Sequence, residues 1–259
     1  MIAVCSFLQV ILFCANRAAF CADEATFCAN SDVFCAHRIM FCANTTYFAQ
    51  RHYLKRNLRN ILSIRLRNVS SNKGVKAMFT YKVDNEIGLK LVMPSDAEDV
   101  FDMIDRNREH LREWLGWVDI STDISVTYQM IDINLRKFAN HEALDTAIVY
   151  NGKIIGKVSI NSINLANKTA QIGYMLDEKY EGRGIMTRAV KAMIDIAMFE
   201  YDLHKVEIWA AEGNKKSRAI PERLGFVQEG IIRSAEWLYD HYVDHVVYGV
   251  LRREWLARK

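Results

Sequence analysis

Tyr174-Met175-Leu176-Asp177-Glu178-Lys179-Tyr180-Glu181-Gly182-Arg183-Gly184-Ile185-Met186-Thr187 decides how the second half of this chain is read. An apolar strand ends at Leu176, a short glycine-bearing loop follows, and a long helix begins at Gly184. The first N–H groups of a helix have no partner within it. Glycines let a ligand approach the backbone, so such a junction can cradle phosphate. The Gly182-x-Gly184 pair alone marks a turn as readily as a ligand site. No Gly-Lys-Ser/Thr follows, which excludes a P-loop, and the three-glycine dinucleotide fingerprint is absent.

Working outward, residues 88–93 read as a strand ended by Pro94, with Ser95-Asp96 capping a helix over 97–105. Helical stretches are expected at 110–115 and 125–140. Strands at 146–150, 154–162 and 169–176 form an antiparallel meander with a hairpin at Asn151-Gly152. A long helix over 184–201, a strand at 206–211, a helix at 216–224 and a closing hairpin of 226–237 with 243–251 complete the pattern. This mixed order predicts an α/β domain, a mostly antiparallel central sheet with helices on both faces.

About 30 residues beyond the glycine loop lies Asn214-Lys215-Lys216-Ser217-Arg218-Ala219-Ile220-Pro221-Glu222-Arg223-Leu224-Gly225-Phe226. The first segment resembles the acyl-CoA-binding motif Gln/Arg-x-x-Gly-x-Gly/Ala of the GNAT acetyltransferases. The second resembles their Asn-x-x-Ser…Leu-Gly-Phe element, in the same order and spacing. Two departures stand out: Glu181 replaces the usual Gln or Arg, and Met186 a small residue. The similarity extends over most of 89–255 to the RimJ/RimL type, which acetylates ribosomal-protein N-termini. It includes Leu111-Arg112-Glu113-Trp114-Leu115-Gly116-Trp117, Ile172-Gly173-Tyr174-Met175-Leu176-Asp177 and Ala235-Glu236-Trp237-Leu238.

That resemblance implies a GNAT fold with acetyl-CoA as cosubstrate and direct attack of a neutral amine on the thioester. Tyr174, Met175, Leu176, Gly182, Arg183, Gly184, Ile185, Met186, Thr187, Asn214 and Ser217 are the implied cofactor-binding residues. Ser217 would protonate the leaving thiolate, Glu236 would serve as base, directly or through water, and Trp114 and Trp117 would border the acceptor cleft. Each has a plainer reading: Ser217 and Asn214 as helix-start groups, Glu236 as an exposed strand carboxylate, the tryptophans as core. Arg183, Arg188, Lys215, Lys216 and Arg218 lie near both motifs and could meet phosphates. His241 and His245 are four apart, a metal spacing on a helix but not across a turn and strand, so no metal is expected.

The front of the chain differs. All six cysteines fall within the first 42 residues, in a seven-residue Phe-Cys-Ala-Asn-like repeat, with Cys5 ahead of it. Adjacent constant residues do not make a coiled-coil seam, and the spacing lacks CxxC pairing, so translated tandem DNA is favoured. Residues 2–13 are apolar but fall short of the ~20 needed to span a bilayer. Before Met78 there are ten Lys/Arg against three Asp/Glu, leaving 24 against 28 afterwards. The chain's net charge of +3 therefore comes from the front, and its pI of 8.5 is no argument for DNA binding. The expectation is a repeat-bearing, basic, poorly structured extension over 1–77, with an isolated helix near 53–67, and one acetyltransferase domain over 78–259. The cysteine-free domain fits the cytoplasm. The acceptor is expected to be a protein N-terminus, with no membrane partner and a homodimer entertained. The alternatives are a small-amine acetyltransferase, a non-catalytic acyl-CoA-binding module, and an RNA-associated role for residues 51–76.

Overall fold

The computed structural model describes the dipeptide Ile2–Ala3 and residues 79–258. The expected repeat, basic run and helix near 53–67 lie outside the described residues. The sheet order is β2(Thr80–Lys82), β3(Ile87–Leu91), β4(Leu144–Tyr150), β5(Lys153–Asn164), β6(Thr169–Leu176), β7(Lys205–Ala211), β9(His241–Leu251), β8(Val227–Leu238). Only β6 and β7 run parallel along this path. The three-strand meander and the closing hairpin stand as expected. Asn151 and Gly152 both take positive φ, +48° and +81°, as a tight hairpin turn requires.

Among the described residues six α-helices cover the sheet: α1(Ala97–Asp105), α2(Arg108–Arg112), α3(Ile124–Ala139), α4(Ile185–Asp195), α5(Lys215–Arg223) and α6(Arg252–Leu256). Along β6, Ala170, Ile172, Tyr174 and Leu176 face α4 and its continuation, where Ile185, Met186, Ala189, Val190 and Met193 are buried. Met175 points the other way, into a cluster with Val100, Met103, Ile104, Leu111 and Ile131 beneath α1 to α3. Alternation along one strand thus serves two cores, and full burial of a side chain such as Ile172 stabilises by roughly 1.5–3 kcal/mol.

Two departures from the sequence reading stand out. The helix expected over 184–201 is α-helical only to Asp195 and widens into a π-turn at Ile196–Glu200, closed by the Tyr201 amide donating to the Ile196 carbonyl at 3.2 Å. The short β2 and α6 had no clear sequence signal. In the parallel pair, β6 and β7 stay in register only from Thr169 opposite Lys205 to Ile172 opposite Ile208, and beyond that point the pairing ends. The short β1(Ile2–Ala3) pairs antiparallel with β6 there, Ile2 opposite Met175 and Ala3 opposite Tyr174. The edge of β6 released from β7 therefore accepts an extended backbone.

Candidate active site

The glycine loop is built from β6 outward. Asp177 is buried and caps the turn Glu178–Tyr180 by accepting from the Lys179 amide at 3.1 Å. Arg106 on the α1–α2 turn donates to its other oxygen at 2.8 Å, and Asn107 accepts from the Glu178 amide at 3.1 Å. Burial alone would raise the Asp177 carboxyl, but these hydrogen bonds and the Arg106 charge hold it below the usual carboxylate range. The loop is thereby pinned to α1 and α2 before the glycines begin.

Gly182 and Gly184 take φ of +73° and +68°, and a Cβ built on either would meet nothing within 4 Å. No packing neighbour demands glycine here. The demand is conformational, and the space above both residues is open. Gly184 is the N-cap of α4, whose first closing bond is the Arg188 amide to the Gly184 carbonyl at 3.1 Å. The Ile185 and Met186 side chains are buried in the core, so they could offer a ligand only backbone. Helix-start amides, the dipole and open space together fit a pyrophosphate. With the released edge of β6 alongside, the residues present fit acetyl-CoA.

The polar residues are more committed than the sequence suggested. Glu181 accepts from Lys216 at 2.8 Å and sits 3.0 Å from His110 Nε2, tying the loop to the first turn of α5. Arg188 is paired with Asp84 at 2.6 Å and Glu86 at 3.0 Å. Arg218 donates to the Tyr248 hydroxyl at 2.9 Å and the Glu212 carbonyl at 3.0 Å. Arg183 reaches the Lys179 carbonyl at 3.0 Å. Thr187 accepts from Arg223 at 3.2 Å.

Asn214 Oδ1 accepts from the Ser217 amide at 3.0 Å, the helix cap weighed against cofactor contact. Ser217 is fully buried. Its hydroxyl donates to Tyr174 Oη at 3.3 Å, and Tyr174 donates to the Ser217 carbonyl at 2.9 Å. Burial pushes the Tyr174 phenol up, so it remains a neutral donor. This bond ties β6, beside the glycine loop, to the serine of the second motif.

The segment 113–120 lies against the start of α5 and the end of β8. The ring of Trp114 lies 3.4 Å from where a Cβ on Gly213 would sit, against the start of α5. Both Trp114 and Trp117 pack partly buried on the α1–α3 core. Tyr239 donates to the Leu115 carbonyl at 2.6 Å under the Arg112 guanidinium, 3.9 Å from the ring centre. A Cβ on Gly116 would lie 3.4 Å from the Trp237 carbonyl and 3.9 Å from Glu236 Oε1. One segment therefore touches both the α5 start and the end of β8. Glu236 is only 8% exposed, not the solvated strand carboxylate of the plainer reading. Its partner, His245 Nε2 at 3.2 Å, had no sequence signal. Among the described residues no cluster of three His, Cys, Asp or Glu could hold a metal, and no helix is long and apolar enough to cross a membrane.

Residues 86–227 match the family model described as Acetyltransferase (GNAT) domain, more than half of the chain, and the protein belongs to that family. It is an acetyl-CoA-dependent N-acetyltransferase. Among its relatives, the Bacillus subtilis (strain 168) protein named "Putative ribosomal N-acetyltransferase YdaF" is 35% identical over 183 residues, 70% of this chain and 100% of that one. The ribosomal-protein-serine acetyltransferase of Escherichia coli (strain K12) is 30% identical over 65% of this chain and 94% of its own length. Among solved structures, the microcin C7 self-immunity acetyltransferase MccE, in complex with acetyl-CoA and AMP, superposes with a TM-score of 0.65 at 32% identity, covering 68% of this chain and 97% of that one.

Proposed function

We propose that this chain acetylates the N-terminal α-amino group of a ribosomal or other protein in the cytoplasm, with residues 78–259 as the whole catalytic domain. The observation that carries this reading is one segment, 113–120, that lies against both Gly213, just ahead of the helix that holds the buried Ser217, and the buried carboxylate Glu236. Relatives named for ribosomal N-acetylation align over nearly their full lengths, which supports the protein acceptor.

The chemistry follows from the groups present. An α-amino group has pKa ≈ 7.7–8.0, so a useful fraction is already neutral and modest base assistance suffices. The amine nitrogen attacks the thioester carbonyl carbon while Glu236 takes the proton it sheds. A backbone amide of the β6 edge stabilises the developing oxyanion. The C–S bond then breaks, Ser217 gives its hydroxyl proton to the departing thiolate, and the serine is reprotonated from solvent as Glu236 releases the proton it took. Because the Ser217 proton rests on Tyr174 Oη, the tyrosine sets the serine's resting orientation.

The test is to incubate the full chain with acetyl-CoA and either an extract of ribosomal proteins or a mixture of polyamines and aminoglycosides, following thiol release and intact mass. The expected result is one acetyl increment on a protein N-terminus. Acetylation confined to the small amines would overturn the protein-acceptor reading, and binding of acetyl-CoA without turnover on any pool would overturn the assignment of Ser217 and Glu236.

A further inference from the structure

His245 is 2% exposed and lies on β9, a strand held on both sides: Ala211 of β7 and Ile232 of β8 are its cross-strand partners. Its Nε2 lies 3.2 Å from Glu236 Oε2, but out of hydrogen-bond alignment. Neither ring nitrogen is aligned with any other described group. Burying an imidazole without aligned partners is costly, so its retention beneath a carboxylate asks for a reason.

The backbone supplies one. Between Ile232 and Glu236 the β8 register shifts: Ile232 faces His245, yet Glu236 faces Val243, so four steps on β8 oppose two on β9. In unbroken register Ser234 would face Val243. The two extra residues are accommodated by Ser234 in the left-handed region, φ +49°, with its amide donating to the Asp244 side chain at 2.8 Å. An even insertion keeps the same face inward, so the bulge moves Glu236 into the place Ser234 would hold, within reach of His245. A left-handed non-glycine residue carries a conformational cost, and such strain concentrates at sites where it aims a side chain. The other carboxylate oxygen, Oε1, faces Gly116 on the segment that borders the acceptor side.

We propose that His245 is a positioning residue for Glu236: its Nε2–H holds Oε2 so that Oε1 is presented to the acceptor amine. This rests on the reading of Glu236 as the base. Closing the bond needs only a small rotation of either side chain, and acceptor binding at Oε1 supplies the reason for the carboxylate to settle.

The experiment compares His245→Asn, His245→Gln and His245→Phe in the full chain, alone and with Glu236→Gln. The readouts are turnover at saturating acetyl-CoA on ribosomal-protein extract, KM for acetyl-CoA, and melting temperature. The Gln amide nitrogen reaches the place of Nε2, whereas Asn reaches only Nδ1 and Phe offers no donor. Loss of one hydrogen bond to a charged group is expected to lower turnover about tenfold in H245N and H245F, with KM for acetyl-CoA unchanged. H245Q should recover most of that loss, and H245N should cost nothing further in the E236Q background. A purely structural histidine would lower the melting temperature in all three and leave turnover alone, which would overturn the proposal. So would equal losses in H245Q and H245N, or additive losses with E236Q. H245F, which keeps an aromatic ring at the site, decides the matter if H245N does not fold. Wild-type turnover in E236Q would instead overturn the base reading and the proposal together, which separates the two failures.

Discussion

Gly184→Ala separates the backbone role of the loop from its ligand role. Gly184 and Gly152 both have positive φ, +68° and +81°, and at both a Cβ would enter open space. An alanine at either pays only the left-handed penalty, roughly 1–2 kcal/mol. For a domain of this size that lowers the melting temperature by about 2–8 °C in both variants. They differ in what the open space is for. Gly152 sits in the β4–β5 hairpin turn and supplies no helix-start amide, whereas Gly184 caps α4, where the amides of residues 185–187 are left to a ligand. Losing one charge-assisted hydrogen bond from those amides costs about 1.5–3 kcal/mol, or about 10- to 150-fold in affinity. Calorimetric titration with acetyl-CoA should therefore show G184A weakened by that factor and G152A within twofold of wild type, although both melt early by similar amounts. Equal affinities in the two variants would refute the cradle. So would a G184A defect that vanished once the melting temperature was restored by an unrelated stabilising change.

Three further outcomes are expected. Ser217→Ala should lower turnover by about 10²-fold, the low end of general-acid contributions, while acetyl-CoA affinity measured by titration holds, because its hydroxyl bonds Tyr174 rather than the loop. Asp145 is buried, with Lys157 at 2.7 Å, Ser159 at 2.6 Å and Asn134 at 3.0 Å. Burial would raise its carboxyl, but Lys157 and the two neutral donors hold it below the usual range. A depressed folded pKa gives stability that is fully present above the unfolded value of about 3.9 and lost as pH falls through the folded one. Asp145→Ala should thus cost about 3 kcal/mol in urea unfolding at pH 7, and the gap from wild type should narrow below about pH 4. Finally, the fragment 78–259 should turn over acetyl-CoA at the full chain's rate in the thiol-release assay. Because β1 runs along the released edge of β6 that lies beside the glycine loop, the fragment's KM for acetyl-CoA should be no higher.

The cofactor half of the site was legible in the sequence because its determinants are local. Gly182 and Gly184 announce positive φ, the strand before them alternates at period two, and Asn214 three residues before Ser217 is a helix-start signature. The parts that were not legible depend on partners far along the chain. Arg188 could be placed near a phosphate by proximity to the loop, but not paired with Asp84 and Glu86 about 100 residues earlier. Likewise the π-turn at Ile196–Glu200 reads as ordinary helix, because a one-residue widening barely disturbs a 3.6-residue pattern.

The surroundings of Glu236 failed to show for a sharper reason. Strand alternation says which residues share a face, and it stays valid across the β8 bulge because two residues, not one, are inserted. Glu236 was therefore named as base by resemblance alone, with an exposed strand carboxylate as its plainer reading, and His245 looked like half of an unconvincing metal pair with His241. Only the register shift, fixed by Ser234 and Asp244, reveals that Glu236 lies two positions further along β9 than alternation alone would place it, beside a buried imidazole. Even insertions preserve the pattern that sequence reading depends on while changing which side chains meet. In this chain the cofactor loop is set by local residues, whereas the setting of Glu236 depends on a paired-residue insertion in the last hairpin.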